Sequence, residues 1–413
     1  MVARSVYRRV GICRICGNSD LREILSLGEQ SLGGRFPHDG EPDPPRAPLD
    51  LVRCDGCGLV QLRHTVDAYA MFTDHYGYRS GINQTMRRHL ASIARQVMSR
   101  LELTAGDVVL DIGCNDGTLL SQYPDTLMRI GIDPLVEKFK THLSDFELVS
   151  GFFTAQRFRS VAGRRNARAV TSIAVFYDLD DPNAFVADVA AILDPAGIWV
   201  LEQSYTPLML QQNSYDTICH EHLEYYALAQ IERLMTAHGL RVFDCELNDS
   251  NGGSFRVFVC HEEGGWSTNH SQLAEIRRRE SELGLDGIAP LTSFRIRCEQ
   301  LRSQLHEFVE TEVGRGRVFH LYGASTKGNT ILQFCELDHH LIAGAADRNP
   351  EKWGARTPAT NIPILSEADS RRARPDYFLV LPWHFREEFL VREAQFRAAG
   401  GKLVFPLPKL EVL

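Results

Sequence analysis

The chain is expected to be an α/β protein. It should hold a doubly wound, mostly parallel sheet, with a small metal-binding domain before it and a second, smaller doubly wound domain after it. Three observations predict this. Two Cys-x-x-Cys-Gly turns, Cys13 to Gly17 and Cys54 to Gly58, bracket a segment rich in proline and glycine. The run Val108-Val109-Leu110-Asp111-Ile112-Gly113 leads an apolar strand into a glycine turn. A further strand and glycine turn, Val318 to Gly328, recurs in the last third. The 413 residues leave room for two or three cores. The expected spans are 1–70, 71–285 and 286–413.

Bulk composition narrows the function classes. Apolar residues make up 44%, charged residues 24%, and the net charge is −8. That negative balance argues against broad binding to nucleic acid or anionic membranes. No apolar run approaches the ~20 residues that span a bilayer. The start, MVARSVYRRVGICRIC, has no long apolar segment of the kind a secretory signal needs. A cytoplasmic, monomeric protein is expected, and in such a protein ten cysteines point to free thiols or metal ligands rather than disulfides.

The head comes first. Zinc takes four soft ligands in a tetrahedron, and each Cys-x-x-Cys turn delivers two thiolates to one ion. Cys13, Cys16, Cys54 and Cys57 are therefore the expected ligands of a structural zinc, with no open position for catalysis. The glycine after each pair permits the left-handed turn that points N–H groups at sulfur. Cross-linking by metal would compensate for a segment with little core of its own. No dense Lys/Arg stripe marks it as a nucleic-acid finger.

Between head and body, Tyr76-Gly77-Tyr78-Arg79-Ser80-Gly81-Ile82-Asn83 is too aromatic and too polar for a plain linker. Its phenols, guanidinium and amide suit a loop that covers a cofactor and meets a polar substrate, although packed tyrosines at a helix entry would read the same way. A helix with Met86, Leu90, Ile93, Ala94 and Val97 on one face should follow.

The body opens on Asp111-x-Gly113-Cys114-Asn115-Asp116-Gly117, a D-x-G-x-x-x-G turn at the carboxyl end of a strand, with a helix expected from Leu119. A second strand ends in Asp133, 22 positions after Asp111, where a carboxylate can accept from both hydroxyls of a ribose. These two features resemble the class I S-adenosylmethionine-dependent methyltransferases. The resemblance implies that Asp111, Gly113, Asn115 and Gly117 lie beside the methionine moiety and that Asp133 holds the ribose. Further strands are expected at 146–149, 169–175 and 197–201, then a helix from Leu228 to Gly239 and a closing hairpin of two strands. Phe153 is placed to stack on adenine or to fill the core. Tyr177 and Asp178, ending the fourth strand, are candidate active-site residues.

Residues 211–228, QQNSYDTICHEHLEYYAL, interrupt that pattern. His220-Glu221-His222, with Glu224, Tyr225 and Tyr226, is the densest cluster of proton-transfer groups in the chain. A histidine titrates near neutrality and can take a proton at working pH if a neighbour orients it. The H-E-H spacing lacks the i, i+4 pair of a metalloprotease helix, and a polar surface turn is the plain alternative.

In the tail, charged helical segments from His270 to Glu310 are broken at Gly284-Leu285-Asp286-Gly287. The second strand and glycine turn follow, with Asp347 positioned like Asp133. Lys327 or Arg386 is a candidate diphosphate contact, and a domain kept for packing alone reads equally well.

Taken together, the C-x-x-C-G pair, YGYRSGINQTM, LDIGCNDGTLL, GIDP, DTICHEHLEYY, NGGSFRVF, YGASTKGNT, ADRNPEKWG and LPWHF resemble the sugar C-methyltransferases. Members of that family methylate a carbon beside the ketone, C-3 or in some C-5, of dTDP-linked 4-keto-6-deoxy sugars. The resemblance implies a zinc head, an S-adenosylmethionine domain and a Rossmann-like tail. It places the base that forms the enolate at His222, assisted by Glu221 within the His220-Glu221-His222 motif, with Tyr76 or Tyr78 donating to the enolate oxygen. Some members carry tyrosine where this chain has Cys219 and histidine near Asp178, which leaves the sugar and the methylated carbon open. Methylation of oxygen or nitrogen is the alternative that keeps the cofactor and changes the acceptor.

Overall fold

The computed structural model describes residues 6–72, 78–139 and 146–413. In the head, β1 (Tyr7–Arg9) pairs with β5 (His64–Val66), and β2 (Leu21–Ser31), β3 (Arg46–Cys54) and β4 (Val60–Leu62) form an antiparallel sheet. One face of that sheet, with Ile24, Leu25, Leu49, Leu51 and Leu62, buries into the same core as Phe294, Phe319 and Ile331 of the tail. The head therefore solves its lack of apolar volume by sharing the tail's core.

The body is a seven-stranded sheet. In chain order its strands are β6 (Val108–Ile112), β7 (Met128–Asp133), β8 (Glu147–Ser150), β9 (Ala167–Ile173), β10 (Leu193–Ser204), β12 (Leu240–Asn248) and β13 (Ser254–His261). They lie in the order β12-β13-β10-β9-β6-β7-β8. All pairs among β6 to β10 are parallel, and β13 runs antiparallel to both its neighbours. The closing hairpin is thus as expected. The missing strand, β11 (Glu224–Tyr225), is not in this sheet at all. It pairs with β4 of the head, Glu224 opposite Gln61 and Tyr225 opposite Val60.

Three local expectations shift. No α-helix follows the glycine turn; a short 3-10 turn, Leu120–Gln122, takes its place. Asp116 claims the N–H and hydroxyl of Thr118 at 3.3 and 2.6 Å, and Pro124 stops any continuation. The strand expected at 169–175 ends at Ile173, because Ala174 turns at φ 56. The Asp194–Gly197 turn is an irregularity inside β10, whose pairing with β9 jumps between Leu193 and Ile198.

Helices His270–Glu282 and Ala289–Gly314 lead to the tail. The second buries Leu291, Phe294, Cys298, Leu301, Leu305 and Val309 at the three- and four-residue spacing of one helical face. The tail sheet contains β14 (Phe319–Tyr322), β15 (Gly344–Asp347), β16 (Ile364–Ser366), β17 (Tyr377–Val380), β18 (Lys402–Phe405) and β19 (Glu411–Val412). Their order is β16-β15-β14-β17-β18-β19, parallel except for the last strand.

Candidate active site and metal centre

The four expected cysteines converge. Their Sγ atoms all lie within 4.8 Å of one another, with Cys13–Cys57 and Cys16–Cys54 at 3.5 Å. A tetrahedral ion with zinc–sulfur bonds of about 2.3 Å holds its thiolates about 3.8 Å apart. Gly17 and Gly58 sit at φ 71 and 77, and the Gly56 N–H points at the Cys54 sulfur from 3.3 Å. The donor set and spacing fit structural zinc.

Arg14, inside the first knuckle, runs inward. It donates to the Leu62 carbonyl at 2.7 Å and lies 3.4 Å from the Glu224 carboxylate. The metal turn and the H-E-H segment are therefore joined by a buried ion pair, and breaking one side of such a pair strands the other charge.

Above the carboxyl ends of the body strands lies a cavity of about 910 Å³. Its donor side is lined by Gly113, Asn115, Asp133, Phe153 and Val175. Gly113 is at φ 73, and a Cβ there would meet the Val175 side chain at 2.4 Å. Asp133 accepts the N–H groups of Asn115 at 3.0 Å and Leu135 at 2.6 Å, and burial raises its pKa. Asn115, at φ 48, spends its side chain on the neighbouring loop, accepting from the Ser80 N–H at 3.0 Å. Phe153 lines the cavity and packs edge-on against Phe185 at 5.2 Å.

Two expected cofactor residues do not line the cavity. Asp111 lies beneath the turn, accepting from Thr171 Oγ1 at 2.6 Å, and burial pushes it up to about 7. Gly117 closes the turn by donating to the Cys114 carbonyl at 2.9 Å. Both shape the loop from behind. The residue that ties the loop down is Asp116, which accepts from Arg79 Nε at 3.1 Å and the Gly81 N–H at 2.9 Å.

The acceptor side is lined by Tyr177, Asp178, Asp216, Cys219, Glu221 and His222, with Lys327 and His384 from the tail. His222 Nδ1 lies 2.7 Å from the Thr217 carbonyl. A carbonyl only accepts, so Nδ1 carries the proton and Nε2 keeps its lone pair. The ring lies 4.1 Å from that of Tyr177. Burial, reinforced by the charge of Lys327, lowers this histidine to about 3, so it is neutral.

The other members of the motif separate. His220 turns away from the cavity and meets the Ala47 carbonyl of β3 at 2.9 Å through Nε2, which corrects its expected place among the proton-transfer groups. Glu221 lines the cavity, and Thr326 Oγ1 of the tail lies 3.4 Å from it. His222 Nδ1 is held by Thr217, because Cys219–His222 is a turn, closed by the His222 N–H on the Cys219 carbonyl at 3.1 Å, that folds the ring back onto that residue. Tyr78 is half-exposed and lines the cavity. Tyr76 lies outside the described residues.

Sequence reasoning missed several polar groups here. Gln203, 2% exposed, lines the cavity with neither amide atom hydrogen-bonded. Glu202 beside it contacts His89 and takes Arg256 Nη2 at 2.7 Å. Burial works against its charge, but His89 and Arg256 outweigh burial and keep its pKa low. Asp216 accepts from Trp383 Nε1 at 2.9 Å. A polar residue at a strand end was the only available signal.

The tail's own cleft is filled. Asp347 accepts the N–H groups of Ala324 and Asn349, both at 2.8 Å, as Asp133 does for its turn. Lys352 then donates to the Ala324 carbonyl at 2.7 Å and lies 4.6 Å over the Phe36 ring of the head. Lys327 faces the shared cavity, whereas Arg386 pairs with Glu411 at 3.1 Å and does not line it.

A seven-stranded sheet in this order, with a glycine turn and an acid at the ends of its first two strands, defines an S-adenosylmethionine-dependent methyltransferase. Family models match a zinc binding domain over residues 13–72, a methyltransferase domain over 86–244 and a C-methyltransferase C-terminal domain over 249–408. The C-methyltransferase NovU of Streptomyces niveus is 31% identical over 416 residues, covering 99% of this chain and 98% of NovU. The chain belongs to the C-methyltransferase family.

Similar solved structures include two methyltransferases that each cover under half of this chain. Magnesium protoporphyrin IX methyltransferase of Synechocystis PCC 6803, with S-adenosylhomocysteine bound, is 13% identical. It covers 45% of this chain and 90% of that one at a TM-score of 0.35. The mitomycin 7-O-methyltransferase MmcR is 16% identical over 43% and 54%, at 0.34.

Proposed function

We propose that the protein methylates a carbon beside the ketone, C-3 foremost, of a dTDP-4-keto-6-deoxy sugar. The observation that supports this most is the single cavity joining Gly113 and Asp133 to a histidine whose Nε2 is left as an acceptor. A hydrogen beside a ketone is acidic enough for such a base, whereas oxygen and nitrogen acceptors bring their own lone pair.

His222 Nε2 takes the proton from carbon, and the C–H electrons pass through the new C=C bond onto the ketone oxygen. The Thr217 carbonyl, holding Nδ1–H, fixes the ring and eases the positive charge that the imidazole gains. Bound S-adenosylmethionine supplies an electrophilic methyl group, which Gly113 and Asp133 are placed to hold. The ketone reforms as the carbon takes the methyl, and His222 returns its proton to solvent. Lys327 supplies a cation for the diphosphate at the tail side of the cavity.

The test is incubation with S-adenosylmethionine and a panel of dTDP-4-keto-6-deoxy sugars in deuterated buffer. Deuterium exchange beside the ketone and a new carbon–methyl bond are expected. No exchange and no methyl gain across the panel would sink the reading, and a methyl on oxygen or nitrogen would replace it with the alternative.

A further inference from the structure

Asp178 is an acid on the acceptor side whose Oδ1 has no hydrogen-bond partner among the described residues. It ends the 3-10 turn Phe176–Asp178 at the mouth of β9 and lines the cavity. The turn is docked on the H-E-H segment, since the Leu223 N–H donates to the Tyr177 carbonyl at 2.7 Å. Tyr177 packs on His222, and Asp178, the next residue in the chain, lines the same cavity as that histidine. Its Oδ1 is withdrawn from solvent without a hydrogen-bond partner, and among the described residues no cation pairs with its carboxyl.

The groups facing it are themselves anions or weak acids. Glu221 and Glu224 act on it through their charges, and the Tyr177 phenol and Cys219 thiol, both raised by burial, feel its charge in turn. The Arg14 guanidinium, which pairs with Glu224 at 3.4 Å, is committed there and to Asp180 at 3.8 Å. An ionised carboxylate with an unpartnered oxygen among other carboxylates is the costly state, and the neutral acid is the favoured one. Burial, then the charges of Glu221 and Glu224, push its pKa well up.

We propose that Asp178, as a neutral carboxylic acid, donates the hydrogen bond that holds the ketone oxygen of the acceptor while His222 removes the neighbouring proton. This rests on the enolate reading above. The proton of Asp178 stays on its own oxygen throughout; the bond shortens as charge collects on the acceptor and lengthens when the ketone reforms. A neutral acid serves where a carboxylate would repel the developing charge.

The experiment uses the full-length zinc-loaded protein with S-adenosylhomocysteine and the dTDP-4-keto-6-deoxy sugar that the unaltered protein methylates fastest. It reads deuterium exchange beside the ketone across pH. Asp178→Ala should slow exchange by about 100- to 1000-fold, the usual cost of one oxyanion donor. Asp178→Asn keeps a neutral donor and should stay within about tenfold. The unaltered protein should lose rate as pH rises and Asp178 ionises, and Asp178→Asn should lack that alkaline fall.

Three results would each overturn the proposal: Asn as slow as Ala, Ala as fast as Asp, or an alkaline fall unchanged in Asn. Should Asp178→Ala fail to fold, the pH profile of Asp178→Asn decides alone. Failure of the unaltered protein to exchange at all would strike the enolate reading instead, so the two failures are distinct.

Discussion

His222→Asn is the sharpest perturbation of the site. Asparagine places a side-chain N–H where Nδ1 stands, so the 2.7 Å bond to the Thr217 carbonyl can survive while the Nε2 lone pair disappears. The cavity wall next to Tyr177 keeps most of its shape, and the cofactor-side groups, Gly113, Asp133 and Phe153, are untouched. Removing a general base costs about two to four decades in rate, or about 2.7 to 5.4 kcal/mol at 1.36 kcal/mol per decade. Single-turnover methyl transfer and deuterium exchange should both fall by that factor, while calorimetric binding of S-adenosylmethionine should change less than about threefold. Burial and the Lys327 charge hold His222 near 3, so the unaltered protein should show no acid limb from this group between pH 7.5 and 5.5. Exchange within tenfold of the unaltered rate in the asparagine variant would remove His222 as the base.

Other outcomes follow from the same geometry. Gly113→Ala forces a side chain into φ 73 with its Cβ 2.4 Å from Val175, strain of about 1–3 kcal/mol, so the Kd for S-adenosylmethionine should rise about 10- to 100-fold by calorimetry. Lys327→Met should raise KM for the sugar nucleotide by about tenfold or more and leave cofactor affinity alone; an unchanged KM would place the diphosphate elsewhere. Cys54→Ser should release the metal, seen by elemental analysis, and lower the melting temperature, and full metal content would refute the four-thiolate centre. Burial raises Asp111 to about 7, so the folded chain binds a proton that the unfolded chain releases above pH 4. Stability from this group is present at low pH and lost as pH rises to 7, and Asp111→Asn removes the loss. The stability gained by Asp111→Asn should therefore grow from pH 4 to 7, by at most about 1.4 kcal/mol per pH unit, and then level off; a flat difference would contradict a buried, raised carboxyl.

Much of this architecture was legible because it depends on local pattern. Val108, Val109 and Leu110 are all buried, as a short apolar run at a sheet centre requires, and Leu90, Ile93, Ala94 and Val97 form the buried face read from their spacing. The thiolate quartet could be assigned because two turns of fixed chemistry need each other. What escaped was decided by contacts distant in sequence. Nothing local distinguishes His220 from His222; one meets Ala47, 173 positions away, and the other meets Thr217, five positions away. Glu224 and Tyr225 could be assigned to the head only once Gln61 and Val60 were known to lie opposite them. Gln203 is a polar residue in an apolar strand, and only the cavity beside it gives that meaning.

The pairing of β11 with β4 bears on how such enzymes could be recombined. Covalently, the segment that bears His222 belongs to the body; by hydrogen bonds it belongs to the head, through Leu62 N–H to the Leu223 carbonyl at 2.8 Å and His220 to Ala47. A chimera that exchanges the head alone would seat a foreign sheet edge under a native base. Residues 13–72 and 211–228 form one inheritable unit despite the distance between them, and acceptor preference should travel only when both are moved together.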